Sequence, residues 1–125
     1  MYEVTIEKTF SAAHALLEIG GKCEDLHGHN FTVQVTVAGD VLNDEGLLLD
    51  FRVLKRWTDE ILDLLDHRFL NEVPFFQGIN PSSENIARFV FGKMKARIAG
   101  TPLLVDRVTV RESANAWATY REDRS

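Results

Sequence analysis

Cysteine is nearly absent from this sequence of 125 residues, which contains only Cys23. A single thiol excludes an intrachain disulfide, whereas small secreted domains usually carry paired cysteines. The chain also lacks any apolar run near the roughly 20 residues that a membrane helix needs. Its first residues alternate like a strand and do not form a basic stretch before an apolar run. We therefore expect no signal peptide and a cytoplasmic protein.

Positive charge is scarce as well. The chain has 14 Lys and Arg against 19 Asp and Glu, a formal net charge of -5, and its basic residues form no cluster. Nucleic acid is therefore not an expected partner, because phosphate backbones require concentrated positive charge. A small anionic substrate is compatible with this composition, since a few basic groups and a metal can dominate the field inside one cleft.

The hydrophobic pattern predicts one domain over residues 1–125, of the α+β class. Residues alternate from Tyr2 to Phe10 and on to His14, and alternation resumes from Phe31 to Val37, which predicts two strands. Helices are expected after the capping residues Asp50 and Ser82. The first helix is expected to bury Leu54, Trp57, Ile61, Leu64 and Leu65, and the second Ile86, Phe89, Val90, Met94 and Ile98.

Two short strands follow, one around Val108 and Val110 and one over residues 116–120. The predicted order is strand, strand, helix, helix, strand, strand, with an antiparallel sheet covered by the helices on one face. The other face is expected to be polar, and four strands leave two open edges, so we expect a closed homo-oligomer. The polar residues expected there are Glu3, Thr5, Gln34 and Thr36.

The densest chemical pattern runs from Cys23 to His29. His27 and His29 are two apart where the second strand begins, and side chains two apart on a strand share a face at roughly 6.5–7 Å. Pairing of the first two strands would bring His14 to them. Three imidazoles with an open fourth position are typical of catalytic Zn²⁺. The alternative is a structural zinc closed by Cys23, and spacing does not decide between the two.

Three further features can carry chemistry: Cys23, the Asp66–His67 pair and Glu112. A thiolate at Cys23 would be stabilised beside a dication, which suits a general base, although an isolated cysteine is more often a buried hydrophobe. Asp66 and His67 can cooperate only in or past the last helical turn, and His67 can equally be a histidine favoured by the helix dipole. Glu112 shares the parity of Val110, and a carboxylate on an apolar strand face needs a partner or a ligand.

Together these motifs resemble the 6-pyruvoyl-tetrahydropterin synthase family, which includes the bacterial 6-carboxy-tetrahydropterin synthases. Members carry a Cys-x-x-x-His-Gly-His motif, here Cys23 to His29, and an upstream His after Ala-Ala, here Ala12 to His14. The ordered set spans nearly the whole chain, which makes the set specific although each piece alone is weak. The other matches, in chain order, are Asp50-Phe51, Leu65 to Asn71, Pro81 to Asn85 and Glu112.

The resemblance implies a tunnelling fold whose subunits pair their sheet edges into a barrel, often as two stacked trimers. Sites would lie at subunit interfaces of this trimer or hexamer. The implied substrate is 7,8-dihydroneopterin triphosphate, which loses triphosphate and acetaldehyde to give 6-carboxy-5,6,7,8-tetrahydropterin on the route to queuosine and other 7-deazaguanines. Zinc on His14, His27 and His29 would act as a Lewis acid on the side-chain hydroxyls, and Cys23 would take protons from the side-chain carbons.

The resemblance also assigns the remaining roles. Asp66 would orient and charge-stabilise His67, which shuttles protons, and Glu112 would anchor the pterin through its ring nitrogens. Glu24, directly after Cys23, departs from the pattern expected of the carboxy-forming members. Some members of the family with a Glu in this loop cleave the same substrate to 6-hydroxymethyl-7,8-dihydropterin for folate synthesis. Glu24 is therefore a second catalytic candidate, or a solvated loop carboxylate. Two more functions are compatible with the sequence: a 6-pyruvoyl-tetrahydropterin synthase, and a non-catalytic, zinc-stabilised assembly module.

Overall fold

The computed structural model describes residues 1–16 and 27–123, with only the backbone of His27. It contains a four-stranded antiparallel sheet with two helices against one face, and the strands lie side by side in chain order. The predicted order of strands and helices is confirmed. The elements are β1 (Tyr2–His14), β2 (His27–Gly39), α1 (Phe51–Leu62), two 3-10 turns (Leu70–Glu72 and Pro74–Phe76), α2 (Ser83–Ile98), β3 (Leu104–Ser113) and β4 (Ala116–Tyr120).

The alternating pattern places one side of each long strand in the core. Phe10 of β1 pairs with Phe31 of β2, and their rings stack with centroids 5.0 Å apart. Val33 and Val35 of β2 are fully buried, as is Val110 on the neighbouring strand β3. This continuous apolar face fixes the register, because a slip by one residue would turn every one of these side chains to the opposite face.

Both helices begin at the predicted caps. The Asp50 side chain accepts a hydrogen bond from the backbone N–H of Arg52 at 2.8 Å, and Ser82 accepts one from Asn85 at 3.1 Å. The first predicted apolar stripe is wrong at Leu64, which is 45% exposed because α1 already ends at Leu62. The second stripe is confirmed, since the five predicted residues of α2 are buried.

The polar face of the sheet follows the prediction except at Thr36. Glu3 and Thr5 are exposed, whereas Thr36 is only 1% exposed. Its hydroxyl forms a hydrogen bond of 2.7 Å with the hydroxyl of Thr5, and the register of β2 against β3 shifts directly after it. Thr36 therefore stays on the face of Thr5, and the hydroxyl of Thr5 satisfies its buried hydroxyl.

The outer edge of β1 is covered at one end. Ser11 and Ala13 form backbone hydrogen bonds with residues 67–68, and Ala13 and Phe69 form an isolated parallel bridge. The chain after α1 therefore lies alongside the His14 end of β1. In the described part of the chain, neither helix combines the length and the apolar character that a bilayer crossing requires.

Candidate functional site

Three neighbouring strands each bring one side chain that could bind a metal ion to the same end of the sheet. His14 is the last residue of β1, His29 lies near the start of β2, and Glu112 lies near the end of β3. His29 shares the parity of Phe31, and Glu112 shares the parity of Val110, both of which are fully buried on the helix-covered face. Because side chains two apart point the same way, the core face of the sheet also carries this cluster.

The cluster has the dimensions of a metal site. The Nε2 atom of His14 is 2.9 Å from Oε1 of Glu112, and Nε2 of His29 is 3.7 Å from the same oxygen. The ligand atoms of the three residues all lie within 4.8 Å of one another. Two ligands bound at about 2.1 Å to a tetrahedral centre are about 3.4 Å apart, so these atoms can close around one divalent ion. Glu112 was not predicted from the sequence to join the histidines.

The orientation of His14 is set by its surroundings. The imidazole is fully buried, and its Nδ1 lies 2.8 Å from the backbone oxygen of Pro81. A carbonyl oxygen only accepts, so Nδ1 carries the proton and donates it, and Nε2 is the ring atom that faces Glu112 and can offer a lone pair to a metal. A lone pair and a carboxylate oxygen both accept and repel at 2.9 Å unless a proton or a cation lies between them. The arrangement therefore suits a bound cation.

Three of the predicted site residues cannot be placed with this cluster. The backbone of His27 pairs with His14 across β1 and β2, but its side chain lies outside the described part of the chain. Cys23 and Glu24 lie outside the described residues altogether. The three-histidine ligand set and both loop roles therefore stay predictions.

The Asp66–His67 pair lies beyond the first helix. The helix dipole acts within the last turn of a helix, and α1 ends at Leu62, so His67 lies too far along the chain to feel it. Its Nδ1 atom is instead 3.0 Å from Oδ2 of Asp66, and the other oxygen, Oδ1, accepts a hydrogen bond of 2.9 Å from the backbone N–H of Ser11. His67 has a φ of 57°, which turns the chain, and its own N–H donates to the carbonyl of Ser11 at 2.6 Å. The pair is thus held at the edge of β1.

Asn71 completes this edge, and it was not among the residues predicted for the site. Its Oδ1 accepts from the backbone N–H of Ala15 at 2.9 Å, and its Nδ2 donates to the carbonyl of Ala15 at 2.7 Å. The side-chain amide therefore pairs with β1 beyond its end as another strand would. It fixes the residue that follows His14. The match from Leu65 to Asn71 was the available sequence signal, but a local pattern does not reveal a partner so far away in the chain.

Acid conditions should weaken the contact between Asp66 and β1. The N–H of Ser11 and, to a lesser extent, His67 hold the pKa of the Asp66 carboxyl below its ordinary value. A lowered pKa in the folded state stabilises the fold above the unfolded pKa, and this stabilisation is lost as the pH falls through the folded pKa. Asp66→Asn keeps an acceptor for Ser11 but has no charge to lose. We expect the difference in free energy of unfolding between the two proteins to be larger at about pH 6 than at about pH 3.

Denaturant titrations of both proteins at these two pH values measure that difference. The other carboxyl groups titrate in both proteins and cancel. A difference that is the same at both pH values would show that the charge of Asp66 does not stabilise the fold.

A cavity of about 500 Å³ connects the two groups of residues. Its lining includes Ser11, Ala13 and Asn30 from the first two strands, together with His29 from the cluster and His67 from the edge segment. His29, a predicted metal ligand, and His67, a predicted proton-transfer residue, therefore border a common space, which can admit a small molecule.

Comparison with known proteins agrees with this geometry. Residues 3–123 match the family model described as 6-pyruvoyl tetrahydropterin synthase. A Synechocystis protein named 6-carboxy-5,6,7,8-tetrahydropterin synthase is 38% identical over 125 residues, which cover 96% of this chain and 93% of the relative. A Pyrococcus furiosus protein named dihydroneopterin monophosphate aldolase is 37% identical over 93 residues, 74% of each chain.

A solved structure supports the same relationship. The chain superposes on the 6-pyruvoyl tetrahydropterin synthase of Caenorhabditis elegans with a TM-score of 0.81 and 33% sequence identity, over 98% of both chains. The fold expected from the resemblance, an antiparallel sheet with two helices on one face, is therefore confirmed.

Proposed function

The chain belongs to the 6-pyruvoyl tetrahydropterin synthase family, and from this premise we propose that it converts 7,8-dihydroneopterin triphosphate to 6-carboxy-5,6,7,8-tetrahydropterin. The reaction releases triphosphate and acetaldehyde and makes the protein a lyase on the route to queuosine and other 7-deazaguanines. The similarity to the Synechocystis protein of that name supports this choice of product. The observation that carries the proposal is the cluster of His14, His29 and Glu112 beside the cavity that His67 also lines.

We propose Zn²⁺ as the metal, held by His14, His27 and His29. The residues fit it, since the ring nitrogen of His14 that faces the cluster is set by the bond to Pro81 and imidazole is a common zinc ligand. When bound, zinc supplies Lewis acidity to the hydroxyl groups of the substrate side chain. The chain itself supplies the position of those hydroxyls and the groups that move protons.

Two groups are proposed to move the protons. Cys23 accepts protons from the side-chain carbons of the substrate as a thiolate base. His67 exchanges protons at the other side of the same carbons, and Asp66 keeps the imidazole oriented through the 3.0 Å contact at Nδ1. Because Nδ1 is held by the carboxylate, Nε2 is the atom left to face the substrate. His67 is 81% exposed in the single chain, which leaves it accessible to a bound ligand.

Asp66→Asn tests this pair. The amide keeps a hydrogen-bond acceptor for Ser11 but removes the negative charge beside His67, so the imidazolium is no longer stabilised. We expect kcat to fall about 100-fold, the scale of one general acid–base contribution, with unchanged zinc content. Steady-state kinetics and metal analysis measure both quantities, and a kcat equal to that of the wild type would remove Asp66 from the mechanism.

Glu112 is proposed to anchor the pterin by accepting hydrogen bonds from its ring nitrogens. Removing these charge-assisted bonds in Glu112→Ala should raise the Kd of a non-reacting pterin about tenfold or more. Zinc content should stay near that of the wild type, because the three histidines are the proposed ligands. Fluorescence titration and metal analysis make the two measurements.

Glu112→Gln separates this role from metal binding, since it keeps the shape of the side chain and removes its charge. In the wild type, Oε1 of Glu112 lies only 2.9 Å from Nε2 of His14. If Glu112→Gln loses its zinc, Glu112 is a metal ligand. An unchanged pterin Kd in both variants would remove it from the substrate site.

A second candidate function is aldol-type cleavage of a dihydroneopterin phosphate to 6-hydroxymethyl-7,8-dihydropterin, with Glu24 taking part in catalysis. The similarity to the Pyrococcus furiosus aldolase favours it. A 6-pyruvoyl-tetrahydropterin synthase activity is a third candidate within the family.

We propose that the working form is a homo-oligomer, a trimer or hexamer, of one cytoplasmic domain that spans residues 1–125. The strands β1 and β4 end the sheet on its two sides, so an edge of one copy can pair with an edge of the next. Nucleic acid and membrane are not proposed as partners.

Product identification tests the proposed function. The zinc-loaded protein is incubated with 7,8-dihydroneopterin triphosphate and the pterins are separated by chromatography. We expect 6-carboxy-5,6,7,8-tetrahydropterin, whereas a hydroxymethyl or pyruvoyl product would select the second or the third candidate. A Glu24→Gln variant run in parallel shows whether that carboxylate controls the product.

A further inference from the structure

A second cavity adjoins the proposed site. It has a volume of about 650 Å³ and lies between the 3-10 turns and α2, and we name it the basic groove. Its lining includes His67 and Arg68 after the first helix, Phe75 in the second 3-10 turn, and Phe89 and Lys93 on one side of α2. His67 and Arg68 also line the cavity beside the metal cluster, so the two cavities meet at these residues.

The basic groove gathers cations that lack a carboxylate partner. Among the described residues, Arg68, Arg88 and Lys93 form no salt bridge. Arg88 lies over the ring of Phe75 at 5.3 Å, and Lys93 lies over the ring of Phe89 at 5.6 Å. Elsewhere on the chain, basic residues that do pair with carboxylates include Lys8, Arg52, Lys95, Arg97 and Arg107.

Aromatic rings hold Arg88 and Lys93 in place without neutralising them. A cation–π contact restrains the charged head group and leaves its N–H donors available. Glu72 is the one carboxylate among the described lining residues of the basic groove, against two lining cations. Just outside the lining, Arg88 contacts Phe75 and Asp66 contacts His67, so the charges of Arg88 and Asp66 cancel. A chain with a formal net charge of -5 therefore presents a local excess of positive charge beside His67. Such a place attracts a polyanion.

We propose that the basic groove binds the triphosphate chain of the substrate, with Arg68 and Lys93 as its principal contacts. This assignment rests on the proposed function, in which His67 works on the carbons that carry the triphosphate. Arg68 lines both cavities and Lys93 lines the basic groove alone, so a phosphate chain that runs from the first cavity into the groove meets Arg68 before Lys93. An Arg–phosphate contact can be bidentate, whereas Lys binds as a point charge.

Titration with inorganic tripolyphosphate tests the basic groove without any turnover. The wild type should bind this probe at low salt and bind it more weakly as salt rises. Arg68→Gln and Lys93→Gln should each raise its Kd about tenfold, the effect of losing one charge-assisted contact. Lys55→Gln is the matched control, because Lys55 is an exposed lysine on α1 away from the groove, and it should bind as the wild type does.

Two further measurements show whether the probe binds in the groove or at the metal site, and whether the groove prefers a triphosphate to a single phosphate. Tripolyphosphate also chelates divalent metals, so the titration is repeated on His29→Ala, which should bind it with the wild-type Kd. Orthophosphate should bind at least about tenfold more weakly than tripolyphosphate, because it meets one cation instead of two. Equal affinity for the two anions would overturn the assignment to a triphosphate.

The assignment is also overturned if the wild type does not bind tripolyphosphate, if Arg68→Gln and Lys93→Gln bind it like Lys55→Gln, or if His29→Ala loses it. These outcomes are separate from a failure of the proposed function, which shows as unconsumed 7,8-dihydroneopterin triphosphate whatever the probe does. With turnover present, Lys93→Gln should raise KM for the triphosphate substrate about tenfold with little change in kcat.

Discussion

Replacing His29 with alanine is expected to remove bound zinc and with it all turnover. His29 contributes one of the proposed ligands, and its Nε2 lies 3.7 Å from Oε1 of Glu112 in the cluster. Loss of a group that only orients a ligand costs about 10- to 100-fold in metal affinity, so loss of the ligand itself should cost more than about 100-fold. Metal analysis after dialysis against a chelator, followed by an activity assay, measures the effect.

His67→Ala provides the matched control for this variant. It removes an exposed imidazole that lines the same cavity but is absent from the cluster. This variant should keep its zinc and lose activity, whereas His29→Ala should lose both. A His29→Ala protein with the metal content of the wild type would contradict the proposed ligand set. The same test on His27→Ala decides whether that residue, whose side chain lies outside the described part of the chain, is the third ligand.

Replacing Cys23 with alanine is expected to abolish turnover and leave zinc in place. If the thiolate is the base that accepts carbon-bound protons, its loss should lower kcat by about 100- to 10,000-fold. Because the chain has one cysteine, alkylation with iodoacetamide modifies a single known atom. The zinc-loaded wild type should react quickly and lose its activity without releasing the metal.

The opposite result would favour the non-catalytic, zinc-stabilised assembly module. If Cys23 closes a structural zinc site, the thiol should resist alkylation while zinc is bound, and Cys23→Ala should lose the metal. Cys23→Ser sharpens the comparison, since a hydroxyl is a similar size but a far weaker base at neutral pH. Zinc loss in these variants, together with a wild type that consumes no pterin, would support the assembly module.

Much of the site follows from strand periodicity. The alternation that buries Phe10 and Phe31 continues to His14 and back to His29, and the observed pairing of Ala12 with His29 brings the two imidazoles together. Their rings meet edge to face with centroids 5.4 Å apart. The parity of Glu112 with the buried Val110 indicated a carboxylate in need of a partner. A period of two is a local property, so it can be read from neighbouring residues.

The contacts that orient these residues could not be predicted in the same way. His14 receives its second contact from the carbonyl of Pro81, and Asn71 pairs with Ala15 through a side-chain amide. Each joins positions far apart in sequence, and each depends on backbone atoms that every residue type has. Such a partner cannot be predicted from a local sequence pattern. The end of α1 before Leu64 escaped prediction for a related reason, because the apolar spacing runs on past the last helical turn.

The proposed reaction is a metal-dependent carbon–carbon cleavage, and its products can be quantified. Zinc-loaded protein is mixed with 7,8-dihydroneopterin triphosphate, and acetaldehyde, triphosphate and 6-carboxy-5,6,7,8-tetrahydropterin are quantified from one reaction. We predict equal amounts of the three, and none after the metal is stripped until zinc is restored. Unconsumed substrate in the zinc-loaded sample, or cleavage that continues without metal, would contradict the proposal.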